Sequence, residues 1–195
     1  MSLKVYNSLT KKKETFKPIV RGKVKIYSCG PTVYNYIHIG NHRTFLMSGF
    51  LKRALKFNKF KVKHIMNITD IGHLSSDADA GEDKMVKAAM KEGKSVWDIA
   101  RFYTKAFKND LTDLNIETPN KFTLATENLR AQINMIKKLE KRDYTYSADG
   151  NIYFDTSKYS NNKLGGLNTK SKSRVKKDPN KKNRNDFILW FTKSK

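Results

Sequence analysis

Polar and apolar residues alternate from Lys23 to Tyr27, the period of a half-buried strand. They alternate again from Lys61 to Ile68, with Val62, His64, Met66 and Ile68 on one face and Lys61, Lys63, Ile65 and Asn67 on the other. Between these runs the period lengthens: over residues 44–57, Phe45, Leu46, Gly49, Phe50, Arg53, Ala54 and Phe57 recur at helical spacing. Strand, helix and strand at this separation predict a parallel βαβ unit with a right-handed crossover, so that residues 24–28 and 62–68 end on the same side of one sheet. The turn at Cys29 should therefore meet Thr69-Asp70. Beyond it, Met85, Val86, Ala89 and Met90 mark a second helix. Ser95 caps a third that runs to about Leu114, with an apolar stripe of Val96, Ile99, Ala100, Tyr103, Phe107 and Leu111. Thr118-Pro119 breaks the pattern, and residues 126–141 read as a fourth helix with Leu129, Ile133, Ile136 and Leu139 inside. Two alternating runs over residues 143–155, joined at Asp149-Gly150, carry a strong hairpin signal, and residues 186–190 return as a strand. Residues 1–22 hold two short extended pieces around a turn, expected to brace a sheet edge.

Charge alters this otherwise ordinary α/β pattern. The 195 residues carry a formal net charge of +22, with 38% hydrophobic residues and a mean hydropathy of −0.70. That length suits one domain or one and a half, enough to bury a core. The excess of Lys and Arg produces a field that attracts polyanions such as nucleic acid; the plainer reading is a solvated, Lys- and Asn-rich surface. No span is apolar enough to cross a bilayer and the first residues lack a signal-peptide pattern, so no membrane partner is expected and the cytoplasm is the expected location. The single cysteine, Cys29, excludes an intrachain disulfide and any multi-cysteine metal cage. Asp77, Asp79, Glu82 and Asp83 lack the spacing of a calcium loop and read as capping and solvation. The basic run over residues 170–184 is a poor core former, read as a surface loop in preference to a phosphate-contacting arm.

Chemistry concentrates in residues 27–43, where strand pattern gives way to helix pattern, the position of a ligand crevice in an α/β sheet. Cys29-Gly30-Pro31-Thr32 must turn, because Gly permits unusual backbone angles and Pro removes a donor. His38 and Asn41 stand three apart, on one face of a first helical turn whose free amides and dipole favour an anion, and Gly40 allows close approach to the backbone. Either side chain could instead be a helix cap. His64 reads as packing, with no catalytic role.

The chain resembles the cysteinyl-tRNA synthetases, class I aminoacyl-tRNA synthetases, in an ordered series of motifs along almost its whole length. These are residues 3–16, Cys29-Gly-Pro-Thr-Val-Tyr34 with His38-Ile-Gly-Asn41, Asn67-Ile-Thr-Asp-Ile-Gly-His-Leu74, Gly81-Glu-Asp-Lys-Met85, Asp149-Gly-Asn-Ile-Tyr-Phe-Asp155 and Asp186-Phe-Ile-Leu-Trp190. The resemblance implies an α/β chain forming the N-terminal half of a class I synthetase Rossmann-like nucleotide-binding fold with parallel strands over residues 1–115. Residues 116–195 would be the helix, hairpin and basic loop of an incomplete connective insertion.

It further implies cysteinyl-adenylate formation and transfer to tRNA(Cys), with L-cysteine and ATP with Mg2+ as substrates. ATP would lie on Pro31, Thr32, His38, Gly40 and Asn41, and cysteine on Cys29, Gly30 and Thr69. His38 and Asn41 would be the catalytic pair, stabilising charge with no protein nucleophile; Asn41 stands where His is commoner in class I enzymes. In the family a zinc ion held partly by a cysteine at the position of Cys29 selects the substrate thiol. A thiolate binds zinc far better than a serine hydroxyl does, but the other zinc ligands are expected beyond this sequence, so little or no zinc binding is expected of this chain. Lys84-Met-Val-Lys87 echoes the second class I signature but sits in a helix, and the downstream Lys-Met-Ser-Lys-Ser loop does not occur in these residues. The expectation is a front half that depends on a C-terminal portion, whether in one polypeptide or as a separate chain. A stand-alone basic RNA-binding or structural remnant, and a related ATP-dependent cysteine ligase with an amine acceptor, are the alternatives.

Overall fold

A computed structural model describes residues 3–71, 84–159 and 178–191. The acidic stretch at residues 75–83 and most of the basic run lie outside the described residues. Strands β1 (Lys4–Asn7) and β2 (Lys12–Thr15) form a two-stranded sheet of their own, expected from the sequence as two extended pieces around a turn. The Phe16 amide donates to the Leu3 carbonyl at 2.8 Å, closing this hairpin. Phe16 then packs edge-on against Phe60, just before the strand that begins at Lys61, ring centroids 5.6 Å apart.

Contacts divide the chain into two compact units, the first built mainly from residues 13–73 and 84–128 and the second mainly from residues 129–195. In the first, β3 (Lys23–Ser28), β4 (Lys61–Ile68) and β5 (Lys121–Leu124) form a parallel sheet in the order β3-β4-β5. The expected pairing of the first two holds throughout, from Lys23 against Lys61 to Ser28 against Met66. Strand β5 has no counterpart in the sequence reading, and it carries the first unit beyond residue 115 to Asn128. Its Phe122 packs against Phe107, joining Phe45, Met66, Leu111 and Ile116 in one cluster.

Helix α1 (Ile39–Phe57) connects β3 to β4, and its inward face matches only in part the one its apolar spacing predicts. Phe45, Gly49, Lys52 and Leu55 are buried, whereas Phe50 and Phe57 are 56% and 84% exposed. Gly49 lets the helix close on Ile116: a Cβ there would lie 3.1 Å from Ile116 Cγ2. One turn on, Lys52 is buried because its ammonium has partners, donating to the Thr118 carbonyl at 2.7 Å and lying 3.2 Å from Glu117 Oε1. Arg53 bonds the Asn115 carbonyl and Lys56 bonds Glu117, so three basic side chains of α1 hold the turn that feeds β5.

Helices α2 (Lys84–Glu92) and α3 (Val96–Asp113) complete the first unit. Ser95 caps α3 as predicted, its hydroxyl accepting from the Asp98 amide at 3.1 Å. The predicted stripe is inside: Ile99, Ala100, Tyr103, Phe107 and Leu111 are buried. Val33, Ile68, Met85 and Ala89 pack against its first half.

The second unit holds α4 (Leu129–Lys141) and an antiparallel sheet of β6 (Thr145–Ala148), β7 (Asn151–Phe154) and β8 (Phe187–Trp190). Ile136 is buried as expected, but Ile133 is 37% exposed. Asp149 and Gly150, with φ of 46° and 76°, make the two-residue turn that their sequence announces. Asp186, 1% exposed, accepts from the Thr156 amide at 2.9 Å, the Thr156 hydroxyl at 2.6 Å, the Tyr146 hydroxyl at 2.9 Å and the Asn183 amide at 2.8 Å. Burial alone pushes its carboxyl up, but these donors outweigh burial and hold it below the ordinary carboxylate range.

Candidate active site at the strand ends

At Ser28 the chain leaves β3, turns through Cys29-Gly30-Pro31, and runs back beside the end of β4. The Thr69 amide donates to the Pro31 carbonyl at 2.9 Å, and the Val33 amide to the Thr69 carbonyl at 3.1 Å. Thr32 and Thr69 form a parallel bridge. Five residues read from the sequence as ligand contacts, Cys29, Gly30, Pro31, Thr32 and Thr69, thus meet at one place. The Cys29 thiol is exposed and Pro31 is buried.

Four further residues, Tyr27, Asn67, Asp70 and Thr126, build this corner. Asn67 Oδ1 accepts from the Gly30 amide at 2.9 Å and from the Tyr27 hydroxyl at 3.0 Å, while Asn67 Nδ2 donates to Thr69 Oγ1 at 3.3 Å. Desolvation, and then the nearby Cys29, raise the Tyr27 phenol above its ordinary value. Asp70, 3% exposed, accepts from the amide and hydroxyl of Thr126, fixing the chain just beyond β5 to the end of β4. Asn67 lies in the motif quoted above, on the strand face opposite the core, but nothing in its spacing points to Gly30.

His64, read from the sequence as a packing residue, is 1% exposed. Its Nε2 lies 2.8 Å from Ser28 Oγ, and its amide donates to Asn120 Oδ1 at 2.8 Å, tying β4 to the last residue of β3 and to the entry of β5. Burial lowers its pKa, the Lys52 ammonium lowers it further, and Glu117 opposes them. The folded ring therefore takes up a proton less readily than the unfolded chain. Its contribution is complete above the ordinary histidine value of 6.5 and declines as pH falls below it. Thermal unfolding midpoints of wild type should drop through this window, with a shallower drop for His64→Gln. Equal slopes would refute the assignment.

His38 and Asn41 stand at the start of α1, both exposed. His38 is the N-cap, and its Nδ1 accepts from the Gly40 amide at 3.1 Å. A neutral imidazole that accepts at Nδ1 carries its proton on Nε2, so the outer edge of the ring is a donor. The amides of Asn41 and His42 both return to the His38 carbonyl, at 2.9 and 3.2 Å. An anion here would thus meet side-chain donors and the helix dipole more than the free amides expected from the sequence. The open backbone at Gly40 faces the His38 ring: a Cβ would lie 2.9 Å from its Cε1.

Zinc, implied by the resemblance, finds one soft ligand in Cys29. Among the described residues no three His, Cys, Asp or Glu side chains converge to hold a metal, whereas a tetrahedral site needs four donors. The described residues do not make up that site.

Residues 15–195 match the family described as tRNA synthetases class I (C) catalytic domain. A cysteine–tRNA ligase of Treponema denticola is 51% identical over 199 residues, covering 100% of this chain and 40% of the relative. One from Borrelia turicatae is 47% identical over 201 residues, covering 100% and 41%. The chain therefore spans about two-fifths of the length of these curated relatives. Among solved structures, Agrobacterium radiobacter K84 agnB2 LeuRS, in a ternary complex with tRNA and LeuAMS, superposes with a TM-score of 0.53 at 20% identity. That match covers 73% of this chain and 17% of the other, and it speaks to fold alone. A family match over nearly the whole sequence, with a parallel sheet whose strand ends carry the matching motifs, places this chain in the class I (C) tRNA synthetase catalytic-domain family.

Proposed function

We propose that this chain is the front portion of a cysteine–tRNA ligase, providing the ATP and L-cysteine contacts for cysteinyl-adenylate formation before transfer to tRNA(Cys). The observation that carries the reading is the meeting of Cys29-Gly30-Pro31-Thr32 with Thr69 at the strand ends, in a chain 51% identical to a cysteine–tRNA ligase. In the reaction, a carboxylate oxygen of cysteine bonds to the α-phosphorus of ATP as the bond from that phosphorus to the pyrophosphate oxygen breaks. No protein nucleophile is needed. His38 offers its Nε2–H and Asn41 its amide to the phosphate oxygens, and the positive end of α1 favours the same charge. Mg2+ accompanies ATP as part of the substrate. Cys29, Gly30 and Thr69 form the cysteine side of the site, and Pro31, Thr32 and Gly40 the nucleotide side.

The second unit serves, in this reading, as part of a connective insertion, and the reaction takes place in the cytoplasm. Residues 129–195 carry 17 Lys and Arg against 6 Asp and Glu, a balance that favours a tRNA backbone. The test is cysteine-dependent pyrophosphate exchange. Residues 1–195 alone should show none that is measurable, because the Lys-Met-Ser-Lys-Ser loop would hold the other side of the developing charge; one lost donor of this kind costs on the order of 10²–10³ in rate. Exchange should appear when a C-terminal portion bearing that loop is supplied. Robust exchange by the lone chain would show that these residues form a complete adenylating enzyme.

A further inference from the structure

We propose that Asn67 is a positioning residue that sets the hydrogen-bond polarity of Thr69, leaving its hydroxyl as a donor to the bound amino acid. The inference rests on the reading of Thr69 as a cysteine contact. It begins with the Gly30 amide, a group that can only donate. The Asn67 atom 2.9 Å from it must therefore be the carbonyl oxygen, which also accepts from the Tyr27 hydroxyl at 3.0 Å. With its oxygen committed to β3 and the turn, the amide has only its nitrogen left for Thr69 Oγ1, 3.3 Å away. An amide NH2 donates and does not accept, so Thr69 Oγ1 is the acceptor of that bond. The Thr69 hydroxyl proton is then directed elsewhere, and the backbone of Thr69 is already fixed on Pro31 and Val33. Beside the exposed Cys29, such a donor suits the carboxylate end of an amino acid. Tyr27, Asn67 and Thr69 act as a relay of orientation that starts from one backbone N–H.

Asn67→Asp separates this role from simple bracing. A carboxylate at this position still accepts from the Gly30 amide and the Tyr27 hydroxyl, so the turn is kept, but it also accepts from Thr69 and takes the proton meant for the ligand. In the full-length enzyme containing this chain, Asn67→Asp should weaken L-cysteine binding about ten-fold, the scale of one hydrogen bond to a charged group, while the KM for ATP and the unfolding midpoint change little. Thr69→Val should do the same and Thr69→Ser should restore binding. Adding Asn67→Asp to Thr69→Val should cost nothing more, since both remove one donor. If cysteine affinity survives Asn67→Asp, or if the two losses multiply in the double variant, the inference fails while the functional reading stands. If wild type does not bind L-cysteine at all, the functional reading fails and this inference with it.

Discussion

Gly30→Ala is expected to break the strand-end corner, lowering stability by about 3 kcal/mol or more and abolishing ligand binding. A Cβ at residue 30 would lie 1.7 Å from the Asn67 carbonyl oxygen, and 2.9 Å from both the Asn67 carbonyl carbon and Met66 Cγ. The first two obstacles are backbone of β4, and Met66 is fully buried, so nothing in the way can swing aside. Relief requires β3 and β4 to part where the Gly30 amide meets Asn67 and the Thr69 amide meets Pro31. Gly40→Ala makes an informative contrast, because its Cβ would meet only the His38 ring, a side chain that can rotate away. That exchange should loosen a helix cap, worth about 1 kcal/mol, and leave the fold in place. Urea unfolding of the two variants provides the comparison, and a Gly30→Ala protein within 0.5 kcal/mol of wild type, roughly the effect of a surface substitution, would contradict the geometry.

The second large effect is catalytic. In the full-length enzyme, His38→Ala should reduce cysteine-dependent exchange on the order of 10²–10³-fold, the usual consequence of deleting one preorganised donor. Because His38 also caps α1 through Nδ1, alanine removes two things at once. His38→Asn separates them: asparagine is among the best N-caps, so the helix start should hold, while the outward Nε2–H is lost. Activity should fall for both variants and stability only for alanine. Asn41→Ala should lower exchange without a capping cost. Full activity in His38→Asn would reduce this residue to a cap.

Most of the first unit was legible because it is written in periods: two alternating runs, a helix between them, and a capped stripe from Ser95 onward. The corner at Cys29 and Thr69 followed from topology alone. Strand β5 was not legible, since Lys121–Leu124 is too short to establish a period and is defined by pairing with residues 65–68. The inward face of α1 was legible only in part: Phe45 and Gly49 lie on the expected stripe and are buried, but Phe50 and Phe57 are exposed, and Lys52, outside that stripe, turns inward because the Thr118 carbonyl, more than sixty residues away in sequence, supplies the acceptor. Asn67 escaped notice in the same way: its partners, Tyr27 and Gly30, are set by register between strands.

The Lys52 amine also makes a built-in clock for opening of the first unit. The sequence holds 32 lysines, and an acylating reagent reaches exposed amines at once, but Lys52 is 2% exposed and bonded to the Thr118 carbonyl. Its modification must wait until α1 separates from the turn that feeds β5. With reagent in enough excess that acylation outpaces reclosing, peptide mass spectrometry of a labelling time course would then report the rate of that separation from a single native side chain, with no probe introduced.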